Sequence, residues 1–107
     1  MDSKKDEKRP YITREDIERE IANECYFTAA DGIRGAAITG AFAAEYLPEL
    51  GLTTFCVLVL RSGFVVTGMN TCVRAEAFDV NDGRQKARAH AMEKLTGHVL
   101  YAWKRSR

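Results

Sequence analysis

Two arginines, Arg84 and Arg88, are four residues apart in a segment with helical periodicity. Residues at that spacing share one face of a helix. Two guanidinium groups on one face can bind a phosphate through paired, charge-assisted hydrogen bonds. The competing interpretation is a solvated helix face, on which the arginines pair with acids such as Glu76 and Asp82. An anionic group is therefore the first candidate ligand.

Aromatic residues bracket a glycine-rich stretch at 26–52. Beside flexible glycines, aromatic rings can stack on a nucleotide base. The alternative is that these rings simply cover the core. With the arginines, including the one beside the hairpin turn, they give a predicted ligand-binding set: Tyr26, Phe27, Arg61, Arg84 and Arg88.

Metal and catalytic signatures are weak throughout the chain. His90 and His98 are eight residues apart and have no cysteine or carboxylate at metal-ligand spacing. Cys25 falls on a predicted apolar stripe, where a thiol packs as a small hydrophobe. No phosphate-binding loop and no paired nucleophile and base can be recognised. The sequence therefore predicts no metal, no cofactor and no enzymatic activity.

Composition limits the partners further. The chain has 107 residues and a formal net charge of +1, so no global field attracts nucleic acid or an anionic membrane. Its longest apolar run, 55–60, is far shorter than the roughly 20 residues of a membrane-spanning helix. Three cysteines without a C-x-x-C pair suggest reduced thiols and a cytosolic protein. The N-terminus has no apolar segment typical of a signal peptide.

The N-terminal part predicts a tail and one helix. Met1–Pro10 is densely charged and is expected to be disordered, which leaves one domain at 11–107. Thr13 with Asp16 has the spacing of a helix cap, and apolar residues at 17, 21 and 25 predict a helix from Thr13 to Glu24. Residues 26–52 are predicted to be a loop with one short helical turn near 41–46.

Two apolar β-branched runs around Ser62 and Gly63 predict a β-hairpin. A two-residue turn would place Leu60 opposite Val65, and the same register pairs 58 with 67 and 56 with 69. Both hairpin faces are apolar in this register. The second face must then be buried by another helix, by the long loop or by another copy of the chain, which predicts a homo-oligomer.

The last predicted helix begins after Asp79, a favourable N-cap. Apolar residues at 80, 87, 91 and 95 form one stripe, whose small members would let the helix backbone approach the sheet. Gly97 is a plausible C-cap, and 98–103 would then be a separate apolar segment. The predicted fold class is α+β, in the order helix, two-stranded antiparallel hairpin, helix.

Much of the chain after the tail resembles a family of small tailed-phage proteins, the phage gene 49/gene 66 family. The resemblance covers YITREDIEREIANECYFTAADG and the hairpin with its flanks. The matching positions are Tyr26-Phe27, Phe55-Cys56-Val57-Leu58, Gly63-Phe64, Gly68, Cys72-Val73, Phe78-Asp79, Gly83-Arg84 and Ala87-Arg88.

The resemblance implies a phage accessory protein acting on a host system in the bacterial cytoplasm. We expect a non-catalytic binding protein, an oligomer that sequesters an anionic nucleotide-type ligand or binds a host protein. One alternative is a nucleic-acid-binding module, because the element order loosely resembles double-stranded RNA-binding domains and the C-terminus is basic. Others are an inhibitor of a host enzyme and a small nucleotide-cleaving enzyme. Membranes and nucleic acids are not expected partners.

Overall fold

A computed structural model describes residues 12–38 and 47–106. They form an α+β fold with two additional 3₁₀ turns, Pro48–Leu52 and Ala75–Ala77. The predicted tail at 1–10 and the predicted helical turn at 41–46 lie outside the described residues. The helices and strands are α1 (Arg14–Glu18), β1 (Ile21–Thr28), α2 (Ala29–Ile38), β2 (Thr53–Leu60), β3 (Val65–Thr71) and α3 (Val80–Arg105).

The sheet contains three antiparallel strands in the order β1-β2-β3, so the prediction of a two-stranded hairpin was incomplete. The predicted helix from Thr13 to Glu24 ends at Glu18, and β1 begins at Ile21. Apolar residues at 17, 21 and 25 have helical spacing. Strand pairing with β2 prevails, because it satisfies the backbone of 21–28 and alternates its side chains between two faces.

The β2–β3 hairpin forms, but its register differs by one residue from the prediction. Val59 lies opposite Val65, and the amide of Leu60 donates to the carbonyl of Phe64 at 2.8 Å. The connection therefore has three residues, 61–63, and ends in Gly63 with φ of 94°. A three-residue loop with glycine in the left-handed region is a common hairpin closure. The slip transfers every β3 side chain to the opposite face from the predicted one.

One side of the sheet, the covered face, carries α1 and α3. Its fully buried side chains alternate along β2 and recur every fourth residue along α3. Gly68 of β3 allows the closest approach, because a Cβ there would overlap backbone atoms of Ala87 and Ala91. The prediction of a small-residue contact is therefore confirmed. The buried cluster consists of Ile17, Cys56, Leu58, Leu60, Ala87, Ala91 and Leu95.

Helix α3 begins as predicted but ends later. The side chain of Asp79 accepts from the amide of Asp82 at 2.9 Å, which confirms the N-cap. The prediction that Gly97 ends the helix was wrong, because α3 continues to Arg105. Val99, two residues beyond the glycine, packs on the core. Continuing the helix is therefore more favourable there than ending it at Gly97.

The long loop predicted after Tyr26 contains a helix in its described part, α2. Thr28 and Asp31 cap its start reciprocally, with backbone-to-side-chain hydrogen bonds of 2.9 and 3.2 Å. The same reciprocal pair joins Thr13 and Asp16 at the start of α1, as the sequence predicted. The T-x-x-D spacing thus occurs twice, and its second occurrence was the missed signal for α2.

Candidate functional site

The predicted ligand-binding residues lie in three separate places. Tyr26, Arg84 and Arg88 are close together on the covered side of the molecule. Phe27 is on the opposite face of the sheet, because consecutive residues of a strand alternate. The backbone amide of Arg61 donates to the carbonyl of Glu20, just before the start of β1. The structure therefore joins three of the five residues and separates the other two from them.

Arg88 is held by two carboxylates from different elements. Its guanidinium binds Glu18 of α1 through two hydrogen bonds, of 2.8 and 3.1 Å, and Glu24 of β1 at 2.8 Å. These bonds raise the pKa of Arg88 and lower the pKa values of both carboxyl groups. The side chain is 24% exposed, so the pairs are partly shielded from water. Arg88 thus joins α1, β1 and α3.

The predicted alternative partners, Glu76 and Asp82, are paired with other residues. Glu76 pairs with Arg74 at 3.0 Å, and Asp82 pairs with Lys86 at 3.0 Å. The arginine at position 88 therefore has internal partners, but they come from distant parts of the chain. A sequence contains no direct signal for pairs that are 64 and 70 residues apart.

Arg84 and Tyr26 form a second contact on the same side. The Arg84 guanidinium carbon is 5.6 Å from the centre of the Tyr26 ring, a cation–π distance. The Tyr26 hydroxyl donates to Glu24 at 3.0 Å, and burial together with this hydrogen bond raises its pKa. Within the described residues, Arg84 has no salt bridge. It is the predicted arginine best placed to meet an external anion.

The remaining predicted residues have different surroundings. Phe27 stacks on Phe55 of β2 with ring centres 5.4 Å apart, and it is 39% exposed. Arg61 donates from Nε to the carbonyl oxygen of Arg19 at 2.6 Å, close to the hairpin turn. One of these residues therefore belongs to an apolar sheet surface, and the other connects the hairpin to the end of α1.

The sheet surface opposite α1 and α3 is apolar and partly exposed, and we name it the open face. Its members follow from the strand register, because residues directly paired across the strands lie on the same side of the sheet. None of its side chains carries a charge, although 29% of the chain is charged. The open face consists of Asn23, Cys25, Phe27, Thr53, Phe55, Val57, Val59, Val65, Thr67, Met69 and Thr71.

Several open-face side chains are strongly exposed. Val65 is 57% exposed and Met69 is 44% exposed, whereas Leu58 on the covered face is completely buried. Helix α2 reaches one end of the open face, where a Cβ on Gly32 would lie 3.6 Å from the Phe27 ring. Contiguous apolar surface of this kind is typical of protein–protein contact sites. The sequence predicted a second apolar face, but with the wrong β3 residues on it.

The clefts of the described residues are open and mixed in character. One, of about 790 Å³, lies between α1 and α3, with Ile17 and Met92 among its apolar lining. Arg88 lines it too, but its guanidinium is bound to Glu18 and Glu24. A second cleft, of about 420 Å³, lies between the hairpin end and Trp103 of α3. Neither cleft gathers several uncommitted cations.

The part of the chain that the structure describes has neither a metal-binding cluster nor a membrane-spanning helix. Within 12–38 and 47–106, no three histidine, cysteine or carboxylate side chains are grouped so that they could hold a metal ion. No helix in these ranges is both long and apolar enough to cross a membrane.

Comparison with known proteins gives one match. A family model described as phage protein (N4 Gp49/phage Sf6 gene 66) family matches residues 12–103. The match spans nearly all of the described fold, from the residue before the first helix cap into the last turns of α3. No curated protein and no solved structure matches the chain.

Proposed function

The chain belongs to the phage protein (N4 Gp49/phage Sf6 gene 66) family, and we propose that it is a non-catalytic accessory protein that acts inside the host by binding protein through its open face. The family assignment confirms the resemblance seen in the sequence. The observation that carries the proposal is the exposed, uncharged surface of the sheet.

The energetics of this surface favour a protein partner. Exposed apolar area has a favourable transfer free energy of about 25 cal/mol per Å² when it is buried. Interface centres are depleted of charged residues and enriched in aromatic residues and methionine. The open face has this composition, with Phe27, Phe55 and Met69 in one row. A nucleotide phosphate or a nucleic-acid backbone would find no cation there.

The test uses Cys25, an exposed thiol on the open face, as a reporter of contact. The chain is expressed in a bacterial host, treated in the cell with N-ethylmaleimide, and analysed by mass spectrometry for modification at each cysteine. We expect Cys25 to react several-fold more slowly in the cell than in dilute purified protein. Cys56, which is completely buried in the monomer, is the internal control and should react slowly in both. Equal reactivity of Cys25 in the two samples would refute the proposal.

An anionic ligand is the second candidate, and the contact of Arg84 with Tyr26 favours it. A guanidinium beside an aromatic ring can hold a nucleotide by combining charge with stacking. Native mass spectrometry of gently purified protein should then show a nucleotide-sized adduct that is lost in Arg84→Ala. Arg61→Ala is the control, because Arg61 lies at the hairpin end, next to Arg19.

The nucleic-acid alternative gains one structural argument. Double-stranded RNA-binding domains contain a three-stranded sheet, and the third strand that the sequence did not reveal is present here. Asp79 and Asp82 nevertheless lie at the start of α3, beside Arg84 and Lys86. If this alternative holds, duplex RNA should bind at low salt and be released as the salt concentration rises.

A further inference from the structure

We infer that the partner of the open face is a second copy of the same chain, packed sheet against sheet about a two-fold axis. This inference rests on the proposed function, because it names the occupant of the same surface. It commits to one occupant and to one relative orientation of the two sheets.

The absence of charge makes the open face compatible with a second copy of itself. In a two-fold interface the same surface is contributed twice, so charges close to the axis face like charges from the partner. Such juxtapositions cost free energy and commonly prevent a surface from pairing with itself. The open face holds only apolar side chains, threonines, one asparagine and one cysteine. It can therefore meet its own copy without repulsion.

Side-chain size on the open face also changes along the strands. Residues paired across the three strands form rows, and each row has a different bulk. Phe27, Phe55 and Met69 make a bulky row near one end, and only the pair Thr53 and Thr71 lies beyond it. Two rows away the side chains are smaller. That smaller row consists of Asn23, Val59 and Val65.

An antiparallel arrangement of the two sheets matches this difference in side-chain bulk along the strands. With the two-fold axis across the strands, the bulky row of one copy lies over the smaller row of the other. The row between these two, formed by Cys25, Val57 and Thr67, then lies over its own copy. The two α2 helices, which approach the Phe27 end, are placed at opposite ends of the interface. An axis along the strands would bring them to the same end.

The size of the open face sets the expected affinity of the dimer. Three strands about 4.8 Å apart and about 26 Å long present a flat area of roughly 370 Å² per copy. Stable complexes bury about 800 Å² per partner, so this surface alone gives a dimer at the weak end of the range. We expect association that is reversible and depends on concentration.

The first experiment is sedimentation velocity of the purified chain over a wide concentration range. The mass should rise from the 12.0 kDa monomer towards twice that value as the concentration increases. Val65→Lys should weaken the dimer at least about tenfold, a change of about 1.4 kcal/mol. Val73→Lys is the matched control, because Val73 is 90% exposed and follows β3 outside the sheet. It should leave the association unchanged.

The second experiment tests the orientation with a short bismaleimide cross-linker. Sheets packed face to face lie about 10 Å apart, which places the two Cys25 residues within reach of each other near the axis. Cross-linked dimer should form through Cys25 and disappear in Cys25→Ser. Cys72→Ser is the control that keeps the cross-link.

The outcomes separate this inference from the proposed function. A chain that stays monomeric at all concentrations overturns the second copy as partner; slow labelling of Cys25 in the host would then leave the proposed function standing with a host protein as occupant. A dimer that is insensitive to Val65→Lys and is not linked through Cys25 also overturns the inference, since it uses another surface. Free labelling of Cys25 in the host refutes the proposed function whatever the purified chain does.

Discussion

The two faces of the sheet are built from alternate residues of the same strands, but one face is buried and the other is partly exposed. Leu58 is completely buried beneath α3, whereas Val65 and Met69 on the other side are 57% and 44% exposed. Both faces are apolar, so hydrophobicity alone does not distinguish them. The covered face has a glycine where the helix crosses and small residues on the helix itself. Close packing therefore depends on the absence of side chains as much as on their presence.

The largest expected effect comes from filling the contact between sheet and helix. Gly68→Ala would place a methyl group against the α3 backbone, and backbone cannot move aside as a side chain can. We expect the free energy of unfolding to fall by about 3 kcal/mol or more, measured by chemical denaturation.

Gly97→Ala is the matched control for that substitution. Gly97 lies within α3, and apart from its two chain neighbours and its own helix backbone no atom lies within 4 Å of the position that a Cβ would take. Alanine there should stabilise the helix by about 0.5–1 kcal/mol. Equal destabilisation by the two variants would contradict the close approach at Gly68.

A second pair of variants compares adjacent residues of β2. Leu58→Ala creates a cavity in the covered face and should lower the free energy of unfolding by about 3 kcal/mol. Val57→Ala, on the open face, should lower it by less than about 1 kcal/mol in dilute solution. Thermal unfolding at low protein concentration gives both values. If the two costs were equal, both faces would be buried in the monomer.

The ion pairs of Arg88 with Glu18 and Glu24 show how much charged groups at the edge of the covered face contribute to stability. Arg88→Met removes the cation that Glu18 and Glu24 share and should cost about 1–2 kcal/mol at neutral pH. The expected free-energy cost is small because the side chains of both carboxylates are about a third exposed, so that water screens the pairs. Arg74→Met is the control, since its pair with Glu76 is far more exposed and its loss should leave stability unchanged.

The same pairs predict a dependence on pH. Both carboxyl groups have pKa values below their ordinary value of 4.5, so their contribution is complete above pH 4.5 and is lost as the pH falls through the lowered values. Wild-type protein should therefore lose stability more steeply below pH 4.5 than Arg88→Met does. Parallel pH profiles for the two proteins would show that the pairs contribute nothing.

Most local signals in the sequence, which involve neighbours along the chain, were reliable, and the C-cap expected at Gly97 was an exception. The caps at Thr13 and Asp79 are present, and the β2–β3 hairpin forms around Gly63. The same cap spacing at Thr28 marks α2, although the glycines around it favoured a loop. Capping needs only residues three positions apart, so a sequence contains all the information it requires.

The errors arose where distant segments decide the structure. Residues 21–28 become a strand because β2 offers backbone partners, and no property of Ile21 or Cys25 alone reveals that. The hairpin register was missed by one residue because Ser62 and Gly63 fit a two-residue loop as well as a three-residue one. A single residue of register exchanges the two faces of β3, so the membership of the open face could not be predicted.

The sequence by itself determined the α+β class, the starts of α1 and α3 and the hairpin, because these depend on short-range patterns, and its resemblance identified the phage family. Tertiary structure alone decided that β1 completes the sheet, that Arg88 binds Glu18 and Glu24, and that Phe27 lies apart from Arg84. The physical reason is that strand pairing and ion pairing join residues tens of positions apart. Their partners are selected by the packing of the whole chain.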